Sequence, residues 1–128
     1  FLAEDNTHYR TFLSYGSSKL HNLLFSNLLA QQLKGSSVTS NAVHPGVVDS
    51  DLYRQLPKLQ YKVVSLALIP PSKPAQLIKK MALDAAWGQK NGHYASVQTP
   101  AISSPRSKNL KLAQQLNDLS YDLVKQYL

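Results

Sequence analysis

A leucine-rich helix followed directly by a short strand constrains the fold of this chain more than any other feature. Within residues 14–34 the apolar side chains repeat at helical spacing, as Leu20, Leu23, Leu24, Leu28 and Leu29. We predict Ser14 as the N-cap of this helix and Gly35 as the residue that ends it. Residues 37–43 are rich in β-branched side chains and predict a strand. This order indicates an α/β fold with a parallel sheet.

The rest of the chain predicts three more helical segments and one more strand. Residues 49–69 have a weak helical pattern that Pro57 interrupts. A helix is expected from Ser72 to about Gly88, with Pro74 in its first turn. Residues 92–97 read as the last strand. Residues 109–127 predict a final helix with one apolar face, formed by Leu112, Leu116, Leu119 and Leu123.

One pair of residues in the first helix has the chemistry of a proton-transfer site. Tyr15 and Lys19 are four residues apart, which places both side chains on one helix face. An ammonium group beside a phenol stabilises the phenolate, so such a tyrosine can exchange a proton with a hydroxyl or carbonyl oxygen. The same spacing recurs at Tyr121 and Lys125, where nothing chemical surrounds it. We interpret that second pair as solvated helix surface.

The first predicted strand ends in a sharp turn at Pro45 and Gly46. Proline cannot donate a hydrogen bond to a strand ladder, and glycine readily adopts positive φ. Ligands of open α/β sheets bind at the carboxyl ends of the strands. The turn that follows residues 37–43 is therefore a place where a ligand is expected.

Together, Tyr15-Gly16-Ser17-Ser18-Lys19, the helix that follows and Asn41-Ala42-Val43-His44-Pro45-Gly46-Val47-Val48 resemble the short-chain dehydrogenase/reductase family, and in particular its retinol-dehydrogenase-like branch. The resemblance implies a Rossmann-type doubly wound parallel sheet, of which only the C-terminal half is present. Residues 1–128 would then form the C-terminal part of a single NAD(P)-binding domain. The Gly-rich dinucleotide motif and the family's catalytic serine are expected outside this sequence, so these 128 residues alone are expected to be inactive.

The resemblance also assigns roles to individual residues. It makes Tyr15 the general acid/base and gives Lys19 two tasks, support of the tyrosine and hydrogen bonding to the nicotinamide ribose. It implies cofactor contacts at the turn, through Pro45, Gly46, Val47, Val48 and Ser50. The expected cofactor is NADP or NAD, with NADP slightly preferred.

Residues 49–72 correspond in this resemblance to the variable substrate-binding segment. They contain residues 63–69, the most apolar run of the chain, which favours a lipophilic alcohol or carbonyl substrate. An ordinary buried helix is an equally good interpretation of this run. Peripheral membrane contact is a weaker third, because only Lys58 and Lys62 supply basic charge beside it.

Composition narrows the classes of partner. The net charge is +7, but the basic residues are scattered and no nucleic-acid-binding motif accompanies them, so we expect no nucleic-acid partner. The chain has no cysteine, and no histidine or carboxylate has ligand spacing to His44, so we expect no metal site. The compartment stays open between the cytoplasm and an intracellular membrane.

Two functional interpretations remain from the sequence. The first is an oxidoreductase that transfers a hydride between NAD(P) and a carbonyl or alcohol, acting as a homodimer through the leucine-rich helix. The second is a truncated, non-catalytic family member that keeps this helix as a binding or dimerisation module.

Overall fold

The computed structural model describes residues 11–49, 57–97 and 101–128. The chain divides into two compact units, one formed by Phe1–Gly35 with Ser103–Leu128 and the other by Ser36–Ile102. The first unit is helical where it is described, and the second contains a small parallel sheet with three helices. The predicted mixed α/β class with parallel strands is thereby confirmed.

Five α-helices and two strands lie in the described residues, with bounds that differ in places from the expected ones. The helices are α1 (Thr11–Gln32), α2 (Lys58–Ser65), α3 (Ser72–Leu83), α4 (Ala85–Gly88) and α5 (Leu110–Val124). The strands are β1 (Ala42–His44) and β2 (Tyr94–Ser96). Short 3₁₀ helices cover Pro105–Lys108 and Lys125–Tyr127.

The leucine-rich helix α1 exists as predicted, but its start was wrong. Ser14 lies inside α1 and is not its N-cap, because Thr11 is already helical. No proline or glycine stands between Thr11 and Ser14 to end the helix there. At the other end Gly35 has φ of 83°, the left-handed conformation that glycine supplies after a helix.

The core of the first unit lies between α1 and α5. Leu24, Leu28 and Ala113 are buried, and Leu20, Leu112 and Leu116 pack against them. The amide of Asn27 donates a 2.8 Å hydrogen bond to the carbonyl of the fully buried Ser107, which fixes the 3₁₀ turn against α1. Leu119 and Leu123 stay 40% and 49% exposed, so only half of the predicted apolar face of α5 is used in this core.

The sheet of the second unit is short. β1 and β2 are parallel, and Val43 is paired with Ala95. The strand expected from residue 37 begins only at Ala42, where its pairing with β2 starts. Before it, the Ser36 hydroxyl accepts a hydrogen bond from the Val38 amide. The Asn41 side chain then joins the two strand starts, since it donates to Lys90 O and accepts from His93 N.

The helix predicted from Ser72 to Gly88 is two helices. Its start is confirmed, with Pro74 buried in the first turn of α3. Asp84 takes an extended conformation, with φ of −81° and ψ of 122°, and ends α3. Its carboxylate accepts a 2.9 Å hydrogen bond from the Ala86 amide and so caps α4. The side chain of Asp84 thus divides a segment whose apolar pattern alone predicts one continuous helix.

The apolar run at residues 63–69 is not a buried helix. The helix α2 ends at Ser65 and has no buried residue, and Val63 and Leu66 are 66% and 89% exposed. The half-buried residues of α2 are Tyr61, Val64 and Ser65, on one face. Within residues 11–49, 57–97 and 101–128, no helix combines the length and the apolar character needed to cross a bilayer.

The core between α1 and α5 gives a first prediction. Replacing Leu24, 1% exposed, by alanine leaves a cavity, so we expect the free energy of unfolding to fall by about 2–5 kcal/mol. Leu13→Ala is the matched control, because Leu13 is 63% exposed on the same helix and should change stability by less than about 0.5 kcal/mol. Urea denaturation measures both, and equal losses would contradict this core.

Candidate functional site

Tyr15 and Lys19 lie on the face of α1 opposite its buried leucines. At 100° per residue, both side chains point roughly half a turn away from Leu24. Tyr15 is 63% exposed, and the Lys19 Nζ stands 5.2 Å from the centroid of its ring. The packing of α1 thus directs a phenol and an ammonium together towards solvent, where a ligand can reach them.

The helix stays regular through the small residues between this pair. The Ser18 hydroxyl donates a 2.7 Å hydrogen bond to the carbonyl of Tyr15, one turn before it. A Cβ added to Gly16 would meet no atom within 4 Å. The backbone beside Tyr15 is therefore open.

The second Tyr-x-x-x-Lys pair differs in its surroundings, and its interpretation as helix surface is confirmed. Tyr121 is 58% exposed in α5, but Lys125 belongs to the 3₁₀ helix that follows. The Lys125 ammonium lies 2.9 Å from the Asp122 carboxylate. Tyr121 can therefore serve as a control in mutational tests of Tyr15, because it shares the Tyr-x-x-x-Lys spacing but not the surroundings.

The turn after β1 has the tight shape that its Pro-Gly sequence predicts. Gly46 has φ of 78°, in the left-handed region. A Cβ at this position would lie 2.8 Å from Cδ1 of Ile69, so the side chain of Ile69 fills the space beside the glycine. Glycine is favoured here by the backbone conformation, and a larger residue would also have to displace the terminal methyl of Ile69.

A backbone bridge holds the rest of the turn. The Ile69 amide donates to Val47 O and the Asp49 amide donates to Ile69 O, each at 2.9 Å. This is a parallel bridge centred on Val48 and Ile69. In such a bridge the residue between the two bonded ones, here Val48, points its own N–H and C=O to the opposite side. Val48 therefore presents its amide away from Ile69.

Sequence reasoning missed two residues that shape this turn. Ile69 gave no signal beyond its place at the end of an apolar run. Tyr61 in α2 donates a 3.3 Å hydrogen bond from its hydroxyl to the Asp49 carboxylate, across twelve residues. No short-range pattern identifies such a contact. Asn41 lies just before β1, and its side chain makes two hydrogen bonds to the chain that enters β2.

The candidate site residues fall into two groups. Tyr15 and Lys19 come together in the first unit. In the second unit Gly46, Val47 and Val48 lie beside Ile69, and Pro45 precedes them in the turn. Ser50 lies outside the described residues. Among the residues that the structure describes, no group of three histidine or acidic side chains has the arrangement of a metal site.

Comparisons with known proteins link the chain to dehydrogenases. It is 36% identical to Retinol dehydrogenase 11 of Homo sapiens over 118 residues, 91% of this chain and 37% of the relative. It is 36% identical to Retinol dehydrogenase 12 of Bos taurus over 123 residues, 94% of this chain and 39% of the relative. It is 51% identical to Dehydrogenase/reductase SDR family member 13 of Bos taurus over 116 residues, 87% of this chain and 31% of the relative.

The chain thus spans between 31% and 39% of the length of these three relatives. No family model matches it. The similarity runs through nearly all of this chain, including the Tyr15 helix and the turn after β1.

The turn gives a second prediction. In Gly46→Ala a side chain is placed in a left-handed conformation and Ile69 is displaced, so we expect the free energy of unfolding to fall by more than the roughly 1–2 kcal/mol that the backbone strain alone costs. Gly35→Ala is the control, since Gly35 also has positive φ but would meet no atom within 4 Å. In urea denaturation Gly35→Ala should lose less free energy of unfolding than Gly46→Ala. A larger loss in Gly35→Ala would contradict the contact with Ile69.

Proposed function

The chain belongs to the short-chain dehydrogenase/reductase family, and on that premise we propose that the longer protein containing it is an NAD(P)-dependent oxidoreductase. The bound nicotinamide would supply or accept the hydride, and the substrate would be an alcohol or a carbonyl compound. One observation carries the proposal: the phenol of Tyr15 and the ammonium of Lys19 stand together on the exposed face of α1, in a chain similar to dehydrogenases along almost its whole length.

Tyr15 is proposed as the general acid/base. Its hydroxyl would give a proton to the substrate oxygen in reduction and take it back in oxidation. The exposure of Tyr15 supports this role, because a proton-transfer group must touch its substrate. Lys19, whose ammonium lies 5.2 Å from the centroid of the Tyr15 ring, would bind the ribose hydroxyls of the cofactor.

The turn at Pro45, Gly46, Val47 and Val48, continued by Ser50, is proposed to hold the nicotinamide end of NADP or NAD. Two features of the turn fit a planar amide ligand. Gly46 has positive φ, which makes the turn tight. The Val48 amide points away from the bridge to Ile69, so its N–H is oriented to donate a hydrogen bond to a ligand. NADP is the preferred cofactor, and the contacts that select its extra phosphate are expected elsewhere in the protein.

The two-stranded parallel sheet is compatible with part of a Rossmann-type doubly wound domain. A crossover that contains α2, α3 and α4 joins β1 to β2, and parallel neighbours need such a connection. We propose that residues 1–128 are the C-terminal part of this domain, with residues 49–72 as the substrate-binding segment. Relatives named for retinol favour a lipophilic substrate, and retinol is the probe of choice.

The central test is Tyr15→Phe in the full-length protein. Removing only the hydroxyl should lower NADP-dependent oxidation of retinol by at least about a hundredfold, because no proton acceptor remains at the substrate oxygen. Binding of NADPH, followed by its fluorescence, should stay close to that of the wild type. Turnover is measured by the formation of NADPH.

Tyr121→Phe is the matched control for this test. It removes the same atom from the second Tyr-x-x-x-Lys pair, on the solvated surface of α5. Its turnover should equal that of the wild type. If Tyr15→Phe also keeps full turnover, Tyr15 is not the acid/base and the enzymatic proposal fails.

A second candidate function, a non-catalytic dimerisation module, is favoured by an apolar groove along α1 and α5. Phe25 is 53% exposed at this groove, which Leu119 and Leu123 also line. Apolar side chains left open between two helices suit a second copy of the same surface. A homodimer through α1 is compatible with either candidate function, so turnover decides between them.

Sedimentation velocity of the full-length protein tests the dimer. Phe25→Ser should weaken self-association by about tenfold or more, because truncating a central aromatic side chain typically costs over 1 kcal/mol. Leu13→Ser is the control, since Leu13 is exposed on the same helix but does not line the groove. A dimer that survives Phe25→Ser would place the interface elsewhere.

A further inference from the structure

The helix α2 has two contrasting faces. Tyr61, Val64 and Ser65 are half-buried on one side. Leu59 and Val63 are 77% and 66% exposed, and at 100° per residue they lie opposite Tyr61. The outward side of this helix is therefore apolar, and the inward side carries the tyrosine hydroxyl.

Two anchors tie α2 and the residues after it to the turn that follows β1. The first is the backbone bridge from Ile69 to Val47 and Asp49. The second is the hydrogen bond from the Tyr61 hydroxyl to the Asp49 carboxylate, a partly buried contact of 3.3 Å. The bridge holds the chain after α2, and the Tyr61 hydroxyl adds a side-chain hydrogen bond from α2 itself. Loss of the tyrosine hydroxyl would leave the bridge in place and weaken the attachment of α2 to the turn.

We propose that Tyr61 is a positioning residue for the lipophilic substrate. Through Asp49 it would set the distance between the turn that holds the nicotinamide and the apolar side of α2 that receives the substrate. The inference rests on the proposed function, in which residues 49–72 bind the substrate. It adds a residue whose effect falls on the substrate and not on the cofactor, because Val48 remains held by Ile69 without Tyr61.

The size of the expected effect follows from the bond. A contact of 3.3 Å is long for an O–H···O hydrogen bond, but its acceptor is a carboxylate, which strengthens it. We therefore expect Tyr61→Phe to raise the KM for retinol roughly two- to tenfold. The turnover number and the Kd for NADPH should stay within about twofold of the wild type.

Variants of Asp49 separate positioning from a general structural effect. Asp49→Ala removes the acceptor and should raise the KM for retinol as Tyr61→Phe does. Asp49→Asn keeps a carbonyl oxygen that accepts from Tyr61, so the KM should return towards that of the wild type. The double variant Tyr61→Phe/Asp49→Ala should be no worse than Asp49→Ala alone, since both changes break one bond. Tyr121→Phe serves again as the control.

A binding measurement keeps this test independent of turnover. The affinity for retinol, followed by its fluorescence in the Tyr15→Phe background, should fall by the same factor when Tyr61→Phe is added. An unchanged affinity, or an equal loss of NADPH affinity, would overturn the positioning role. Absence of retinol binding to the parent protein would overturn it as well. Turnover that survives Tyr15→Phe would instead contradict the proposed function.

Discussion

Two backbone hydrogen bonds of Ile69 hold the turn on which the candidate site depends. They pair residue 69 with Val47 and Asp49, across a segment of about twenty residues. A turn that leaves the end of a three-residue strand has little ladder to support it, so these bonds provide its support. They also set the direction of the Val48 amide. Because Val47 and Asp49 bond to Ile69, the N–H and C=O of Val48 between them point to the opposite side. The shape of the turn is thus set by a distant residue.

The helix α1 carries its buried leucines and the Tyr15–Lys19 pair on opposite faces. Leu24 and Leu28 bury one face against α5, and Tyr15 and Lys19 occupy the opposite one. Burial of the leucines fixes the rotation of the helix, and this rotation points the phenol outward. A lysine beside a tyrosine would pack poorly in an apolar core, where its charge costs free energy. The apolar repeat of α1 therefore dictates which face carries Tyr15 and Lys19.

Local signals in the sequence predicted a good part of this structure. Apolar periodicity identified α1 and α5, and a proline in the first turn identified the start of α3. The Pro45-Gly46 pair predicted a tight turn, and Gly46 indeed has positive φ. These features depend on neighbours within about four residues, which a sequence displays directly.

Features that depend on distant partners were missed or misplaced. The strand β1 is shorter than expected, because its extent depends on pairing with β2 some fifty residues later. The cap at Asp84 was hidden inside an apolar pattern that continues on both sides of it. The same holds for the candidate site: the spacing of Tyr15 and Lys19 was visible, while the support from Tyr61 and Ile69 became evident only in three dimensions.

The side chain of Asn41 links the starts of the two strands in the second unit. One end of its amide donates to Lys90 and the other accepts from His93, beside two backbone hydrogen bonds, from Gly92 N to Ser40 O and from Ala42 N to His93 O. An aspartate could satisfy only one of these contacts, and its charge would face a carbonyl oxygen. Because these bonds join the first strand to the chain that enters the second, we expect the two strand starts to open together in local unfolding. The entrance to this short sheet is therefore held by side-chain and backbone hydrogen bonds acting together.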